Sequence, residues 1–130
     1  MIAKGVPVLF TGRESAELAK YIANAFLALK VSFINEVADL CEQIGADVTE
    51  VATAIGKDKR IGERFLSPGP GFGGSCFPKE VKALIHTAQT IDVDPLVLRA
   101  THLRNEHQKH YVLDQVKQRY GADLTGRRFA

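Results

Sequence analysis

The chain has 130 residues, of which 45% are hydrophobic and 25% are charged, and its formal net charge at pH 7 is +2. This composition predicts one ordinary globular domain that is long enough to bury a core. Lysines and arginines are scattered among acidic residues, which argues against a nucleic-acid-binding patch. The two cysteines, Cys41 and Cys76, have no paired spacing and the histidines form no ligand set. We therefore expect no metal site, and a reducing cytoplasm is the simplest compartment.

A short apolar run over residues 6–10 is the first candidate element. It could form a strand, but Pro7 limits it to an edge strand or an extended tail. The stretch Ser15–Ile44 contains no proline or glycine and is followed by a glycine, so it predicts a helix of about 30 residues. We expect its N-cap at Thr11, in a capping-box pattern with the glutamate three residues later, or at Ser15.

This first helix is apolar around nearly its whole circumference between residues 18 and 34. Such a helix should be buried in a large core or against a partner, and a domain of this size favours self-association. Lys20 and Asn24 share one helix face amid apolar residues. They are either a ligand-facing pair or a lysine that extends to solvent beside a structural asparagine. Cys41 is expected to be a packed core thiol.

Three further helices are predicted after the first. Asp47 is the expected N-cap of the second, which ends at Gly56. The third is expected over Pro78–Ile91, with an apolar inner face. The fourth should have Asp94 as its N-cap and cover Pro95–Tyr120. Apolar residues at helical spacing define the expected inner stripe of the fourth helix: Leu96, Ala100, Leu103, Val112 and Val116.

The stretch Phe65–Glu80 carries the strongest chemical signal. Four glycines and two prolines lie between Pro68 and Gly74, so neither a helix nor a strand runs through that part. Glycine also lets a ligand approach the main chain closely. Cys76 precedes the third helix and Lys79 lies in its first turn, and both a helix N-terminus and a nearby cation favour a thiolate. The pattern indicates a nucleophile beside a main-chain pocket; the alternative is a connecting loop with a buried cysteine.

Signals for phosphate or nucleotide binding are mixed. Residues 69–74 fit G-x-G-x-x-G, but no strand precedes them and Cys76 intervenes before the helix, so the context of a dinucleotide fingerprint is missing. A P-loop is excluded because serine rather than lysine follows Gly74. In the charged connector before the glycine loop, Arg60 and Arg64 are candidates for phosphate contacts, although such connectors are usually solvated surface.

Three ordered motifs resemble the central domain of the UDP-glucose/GDP-mannose dehydrogenase family. They are residues 16–28 with Lys20 and Asn24, residues 59–62 with Arg60, and residues 71–79 with Cys76. The resemblance covers about Glu14 to Gln108. It implies an all-α fold in which shorter helices pack on a long central helix, and a dimeric domain like the C-terminal domain of 6-phosphogluconate dehydrogenase.

The same resemblance implies a domain arrangement. Residues 1–14 are similar to the tail of the family's N-terminal NAD-binding domain. Residues 15–120 would form the central substrate-binding and dimerisation domain. Residues 121–130 are similar to the start of the family's C-terminal nucleotide-binding domain. By this likeness the chain is a central piece that should not catalyse alone, because nothing in it can hold NAD.

A chemistry also follows from the resemblance. The family uses NAD in two successive oxidations that turn the C6 alcohol of a UDP-sugar into a carboxylate. Cys76 would be the nucleophile, forming a thiohemiacetal and then a thioester. Lys20 would transfer protons or stabilise an oxyanion, and Asn24 would hold the reacting oxygens or a water. The family usually has aspartate where this sequence has Glu80, whose carboxylate would orient Cys76 or the hydrolytic water.

Binding residues are implied in the same way. The main chain of the loop over residues 65–73 would hold the UDP-sugar, and Arg60 would reach substrate in its own or in the neighbouring subunit of a homodimer. The implied substrate-binding set is Lys20, Asn24, Arg60, Phe65, Leu66, Ser67, Pro68, Gly69 and Gly73. Cys76 and Lys79 would lie near NAD. GDP-mannose or an N-acetylated UDP-sugar stays open as the substrate, and a non-catalytic helical dimerisation module stays open as the function.

Overall fold

The computed structural model describes residues 7–129, and in that range the chain forms four α-helices and no strand. Their bounds are α1 Arg13–Ile44, α2 Val48–Gly56, α3 Phe77–Thr90 and α4 Leu96–Tyr120. The other three helices all pack on α1, and α3 also packs on α4. With 32 residues, α1 is the longest element. The prediction of an all-α fold built on a long central helix is confirmed.

The first two helices differ in how their N-termini are capped. Gly12 occupies the N-cap of α1 without a side-chain hydrogen bond, so the predicted caps at Thr11 and Ser15 are wrong. This end of α1 is exposed, and water can satisfy its free N–H groups. Asp47 caps α2 as predicted, because its carboxylate accepts a hydrogen bond of 2.7 Å from the amide of Thr49.

Other predicted boundaries shift by a residue or fail. Helix α3 begins at Phe77 with Cys76 as its N-cap, so the proline after Phe77 lies one position further into the helix than predicted. Pro95, and not Asp94, is the N-cap of α4. The predicted strand over residues 6–10 does not form in residues 7–10, and its first residue lies outside the described range. No strand forms in residues 122–129 either.

A small apolar cluster joins α1, the glycine-rich loop and α3. It consists of Ala25, Ala28, Phe72, Val81 and Leu84. The two alanines let α3 approach α1 closely, and the loop contributes the largest side chain of the cluster. The apolar inner face predicted for α3 is confirmed. Because Phe72 is part of the core, the loop is anchored to the fold rather than lying free on its surface.

The inner face of α4 differs from the sequence prediction. Leu96, Leu103 and Val112 are 65%, 57% and 56% exposed, so the predicted apolar stripe does not face the core. The buried residues of this helix are instead polar: Thr101, Asn105 and Gln108. Hydrophobic spacing pointed to the wrong face because the face that packs inward is polar: it makes hydrogen bonds to α1 and to the main chain of the loop.

Helix α1 is covered on one side only within this chain. Its buried residues include Ala28, Ile34 and Cys41, and Cys41 is the packed thiol that the sequence predicted. Several large apolar residues of the same helix are exposed: Leu18, Tyr21, Ile22, Phe26, Phe33, Leu40 and Ile44. The burial predicted for the whole circumference is therefore not achieved by this chain's own residues.

Candidate active site

Cys76 occupies an exposed position at the start of α3, whereas Cys41 is buried. As the N-cap residue, Cys76 lies beside the free backbone N–H groups of the first helical turn. Its Sγ lies 3.7 Å from the hydroxyl oxygen of Ser75. Its carbonyl accepts a hydrogen bond of 2.9 Å from the amide of Glu80, which places Glu80 one helical turn further on. The thiol is therefore open to a ligand at a helix N-terminus.

A three-residue cluster connects this end of α3 to α1. Glu80 is only 6% exposed. Its carboxylate accepts hydrogen bonds from Lys20 Nζ at 3.1 Å and from Asn24 Nδ2 at 2.6 Å. We call these residues the Lys20–Asn24–Glu80 cluster. A buried carboxylate needs such partners, and the four-residue spacing of the two donors places both on the face of α1 that meets α3.

The charges in this cluster constrain one another. Hydrogen bonds from Asn24 and then Lys20 hold the pKa of Glu80 below its ordinary value. In return, the hydrogen bond and charge of Glu80 raise the pKa of Lys20. Lys20 is therefore an ammonium at neutral pH, suited to donate hydrogen bonds or stabilise an oxyanion. Its side chain is 68% exposed, so the ammonium remains accessible to a ligand.

Three buried amide side chains fix the glycine-rich loop. Asn105 accepts from the amide of Phe72 at 2.7 Å and donates to the carbonyl of the same residue at 3.0 Å. The amide of Gly69 donates to Asn35 Oδ1 at 2.8 Å, and Gln108 Nε2 donates to the carbonyl of Gly69 at 2.7 Å. The polar groups of Gly69 thus already have partners within the chain.

Sequence reasoning missed Asn105 and Gln108 entirely. The signal that could have found them is a row of uncharged polar side chains, Thr101, Asn105 and Gln108, spaced by four and three residues on one face of a helix. Uncharged hydrogen-bonding residues at this spacing indicate a face that packs against polar main chain.

Aromatic contacts link the loop to the start of α3. The ring of Phe77 meets the ring of Phe72 edge-on at 6.0 Å between centroids, and it lies 6.1 Å from the ring of Phe65. Phe65 has a φ of 66°, an uncommon backbone conformation for a residue with a side chain. These contacts hold the residue that follows Cys76 from two sides.

Other predicted site residues lie in the glycine-rich loop and in the first turn of α3. Leu66 is buried, and together with Ser67 and Pro68 it lines a cleft of about 460 Å³ between the loop and α2. Gly73 is exposed, and a Cβ added there would meet no other atom within 4 Å. Lys79 is exposed in the first turn of α3, where its charge helps to lower the pKa of Glu80.

Arg60 contacts its own turn and not the cluster. Its guanidinium binds the carboxylate of Asp58, and its side chain is 90% exposed. It also lines a mostly apolar cleft of about 280 Å³ whose walls include Phe26 and Phe33 of α1. Within this chain Arg60 thus pairs with Asp58 and is not part of the Lys20–Asn24–Glu80 cluster.

Two general features of the described range bear on function. From residue 7 to residue 129, no helix is both long and apolar enough to cross a membrane. Nor does any group of three His, Cys, Asp or Glu side chains in that range come together as a metal site.

Comparison with known proteins identifies the family. The model of the central domain of the UDP-glucose/GDP-mannose dehydrogenase family matches residues 14–107. A UDP-glucose 6-dehydrogenase of Rhizobium meliloti (strain 1021) is 48% identical over 124 residues, which are 95% of this chain and 28% of the relative. The UDP-glucose 6-dehydrogenase TuaD of Bacillus subtilis (strain 168) is 49% identical over 110 residues, 85% of this chain and 24% of the relative.

A solved structure agrees with these matches. The structure of a UDP-glucose dehydrogenase from the hyperthermophilic archaeon Pyrobaculum islandicum has a TM-score of 0.88 and 40% identity, and the match covers 92% of this chain and 28% of that chain. The fold is therefore that of a helical central domain from a nucleotide-sugar dehydrogenase. The chain belongs to the UDP-glucose/GDP-mannose dehydrogenase family. It spans about a quarter of the length of the relatives named here.

Proposed function

We propose that this chain is the substrate-binding and dimerisation domain of an NAD-dependent dehydrogenase that oxidises UDP-glucose at C6 to UDP-glucuronate. The observation that carries the proposal is an exposed Cys76 at a helix N-terminus, one helical turn from the Lys20–Asn24–Glu80 cluster. This combination supplies a nucleophile, a cation and an amide donor at one place. A non-catalytic helical module would have no need of it. Two unpaired cysteines fit a cytoplasmic enzyme.

The residues of the cluster have distinct roles in this chemistry. Once the C6 alcohol has lost a hydride and a proton, the Cys76 thiolate adds to the aldehyde carbon, forming a C–S bond and an alkoxide. The Lys20 ammonium stabilises that alkoxide, and Asn24 donates to the reacting oxygen or holds a water. Loss of a second hydride leaves a thioester on Cys76. Attack of water then releases the carboxylate and returns the thiol, while Glu80 orients the two donors of α1.

NAD would accept both hydrides. Residues 7–129 contain no strand followed by a glycine turn and a helix, so they offer no dinucleotide-binding unit. We therefore assign NAD binding to a domain outside residues 15–120, with Cys76 and Lys79 as the residues of this chain nearest to it. On this assignment the central domain alone is inactive.

The substrate is assigned from the relatives. Those named above are UDP-glucose dehydrogenases, which favours UDP-glucose over the runner-up substrates, GDP-mannose and N-acetylated UDP-sugars. The loop over residues 65–73 would contact the nucleotide sugar through main-chain groups. Gly69 and Phe72 are exceptions, because the main-chain amide and carbonyl of each already bind buried amide side chains.

Replacement of the thiol in the full-length natural protein tests this proposal. Cys76→Ser should abolish UDP-glucuronate formation from UDP-glucose and NAD, because a serine hydroxyl is a far weaker nucleophile than a thiolate. Cys41→Ser removes the buried thiol of α1 and is the matched control, with activity expected to persist. Formation of UDP-glucuronate by the Cys76→Ser variant at the wild-type rate would refute the proposal, and faster turnover of GDP-mannose would reassign the substrate.

A further inference from the structure

The side chain of Asn105 is matched to a single residue of the glycine-rich loop. Its oxygen accepts from the amide of Phe72 at 2.7 Å, and its nitrogen donates to the carbonyl of Phe72 at 3.0 Å. Asn105 is 1% exposed and Phe72 is 7% exposed. The asparagine amide thus replaces both the hydrogen-bond donor and the acceptor that a neighbouring strand would supply, and water cannot substitute for it at this depth.

The residue before Phe72 is fitted to the same side chain. Gly71 has a φ of +94°, which residues with a Cβ rarely adopt. A Cβ added at Gly71 would also lie 2.7 Å from Asn105 Oδ1. The loop therefore passes Asn105 at a distance that only glycine permits, so the position of the asparagine determines the path of the loop.

A chain of contacts runs from Asn105 to the thiol. The main chain of Phe72 is held by Asn105, while its ring packs in the apolar cluster and meets the ring of Phe77 edge-on at 6.0 Å. Phe77 is the first residue of α3 and directly follows Cys76. Displacement of Phe72 would therefore remove one of the two aromatic contacts that hold the residue next to the nucleophile.

We propose that Asn105 is a positioning residue for the active site, acting from α4 through Phe72 to set both the path of the substrate-binding loop and the placement of Cys76. Asn105 is buried beneath the loop and does not itself contact substrate. The role in substrate binding rests on the proposed function, whereas the placement of the loop and thiol does not.

The test compares Asn105→Ala with wild type in the full-length natural protein. UDP-glucose binding is measured by calorimetry, and amide hydrogen exchange is followed in residues 69–75. We expect the Kd to rise about tenfold or more, since the unpaired amide and carbonyl of Phe72 release the loop from its binding conformation. Exchange in the loop should accelerate. Iodoacetamide labelling of Cys76 should proceed at a changed rate while Cys41 stays protected, which shows that the fold persists.

A matched control removes a buried hydrogen bond at the same helix interface without touching the loop. Ser32 Oγ donates to the carbonyl of Thr101 at 3.1 Å between α1 and α4. Ser32→Ala should lower overall stability but leave the Kd, the loop exchange and the labelling rate of Cys76 as in wild type. If Asn105→Ala does not fold, Asn105→Ser, which leaves a small hydroxyl at this buried position and adds no charge, is measured in the same way.

The outcomes separate this inference from the proposed function. A wild-type protein that does not bind UDP-glucose defeats the proposed function, and the positioning role is then decided by loop exchange and Cys76 labelling. Wild-type binding with an unchanged Kd in Asn105→Ala overturns the positioning role. Unchanged loop exchange and unchanged labelling of Cys76 also overturn it. Equal effects of Asn105→Ala and Ser32→Ala would show a general loss of stability and overturn it as well.

Discussion

At the scale of single residues, Glu80 is the group on which the chemistry of its neighbours depends. Its carboxylate binds Lys20 and Asn24 together, keeping Lys20 cationic and orienting Asn24. Because Glu80 is buried, water cannot replace these two hydrogen-bond donors. A protonated or neutral side chain here would release the Lys20 ammonium from its main partner.

The pairing makes stability depend on pH in a defined direction. The folded-state pKa of Glu80 is lowered from about 4.5, so its contribution to the free energy of unfolding is present above that value and is lost as the pH falls through the lower folded-state pKa. The pKa of Lys20 is raised from 10.5, so its contribution is complete below that value and is lost as the pH rises through the raised pKa.

Glu80→Gln should therefore reduce the loss of stability that occurs as the pH falls into the acid range. Between neutral pH and pH values below about 4.5, the free energy of unfolding of the variant should fall less than that of wild type, because the variant carries no carboxyl at this position. Urea denaturation at a series of pH values measures this difference. Glu36→Gln, at an exposed carboxyl of α1, is the control and should follow the wild-type profile. Parallel profiles for Glu80→Gln and wild type would contradict the prediction.

Gly71 is a second residue whose identity has a specific cause. Gly71→Ala should lower the free energy of unfolding by about 1–3 kcal/mol, because the new Cβ meets Asn105 and the φ of +94° is strained for alanine. Gly73→Ala, where a Cβ meets no other atom within 4 Å, should change it by less than about 0.5 kcal/mol. Denaturant unfolding measures both variants. Equal losses would show that the close approach to Asn105 does not constrain the loop.

At the scale of helices, α4 divides into two parts. Its buried residues, Thr101, Asn105 and Gln108, all lie in the first half. From residue 109 to residue 120 only Tyr111 and Val116 are partly covered, and the remaining residues are exposed. The first half holds the loop and packs on α1, whereas the second half extends beyond those contacts.

Amide hydrogen exchange should therefore be uneven along α4. We expect amides of residues 100–108 to exchange through openings that approach global unfolding, and amides of residues 112–120 to exchange by local fraying. Mass spectrometry on peptides from the two halves measures this difference. Helix α3, which is packed on both α1 and α4, serves as the protected reference. Equal protection in both halves of α4 would contradict the prediction.

The helices also show what the sequence could and could not predict. Helices α1 and α3 were predictable because their packing faces are apolar and because strong start or stop signals flank the helices. The sequence did not predict which face of α4 packs inward. That face is polar, so hydrophobic spacing pointed to the side that faces solvent. For the candidate site, local chemistry in the sequence singled out Cys76, Lys20 and Asn24, whose roles stay predictions. Asn105 was missed because its partner, the main chain of Phe72, is 33 residues away in sequence.

At the scale of the whole molecule, α1 presents a face of exposed apolar side chains. These large apolar residues are spaced by four or seven positions, which places them on one helix face: Leu18, Ile22, Phe26, Phe33 and Leu40. We propose that a second copy of this domain covers this face, because an apolar stripe of that length marks an interaction surface.

Sedimentation of the purified chain tests the dimer. Wild type should sediment as a dimer at micromolar concentration, and Phe33→Glu should shift the equilibrium toward monomer, since it places a charge among the apolar side chains of the stripe. Leu103→Glu, at an equally exposed apolar residue of α4, controls for a general effect of added charge and should leave the dimer intact. A monomeric wild type, or equal dissociation by both variants, would contradict pairing through α1. Dimer formation would place the cleft lined by Arg60, Phe26 and Phe33 at the subunit boundary, where Arg60 could reach substrate held by the neighbouring subunit.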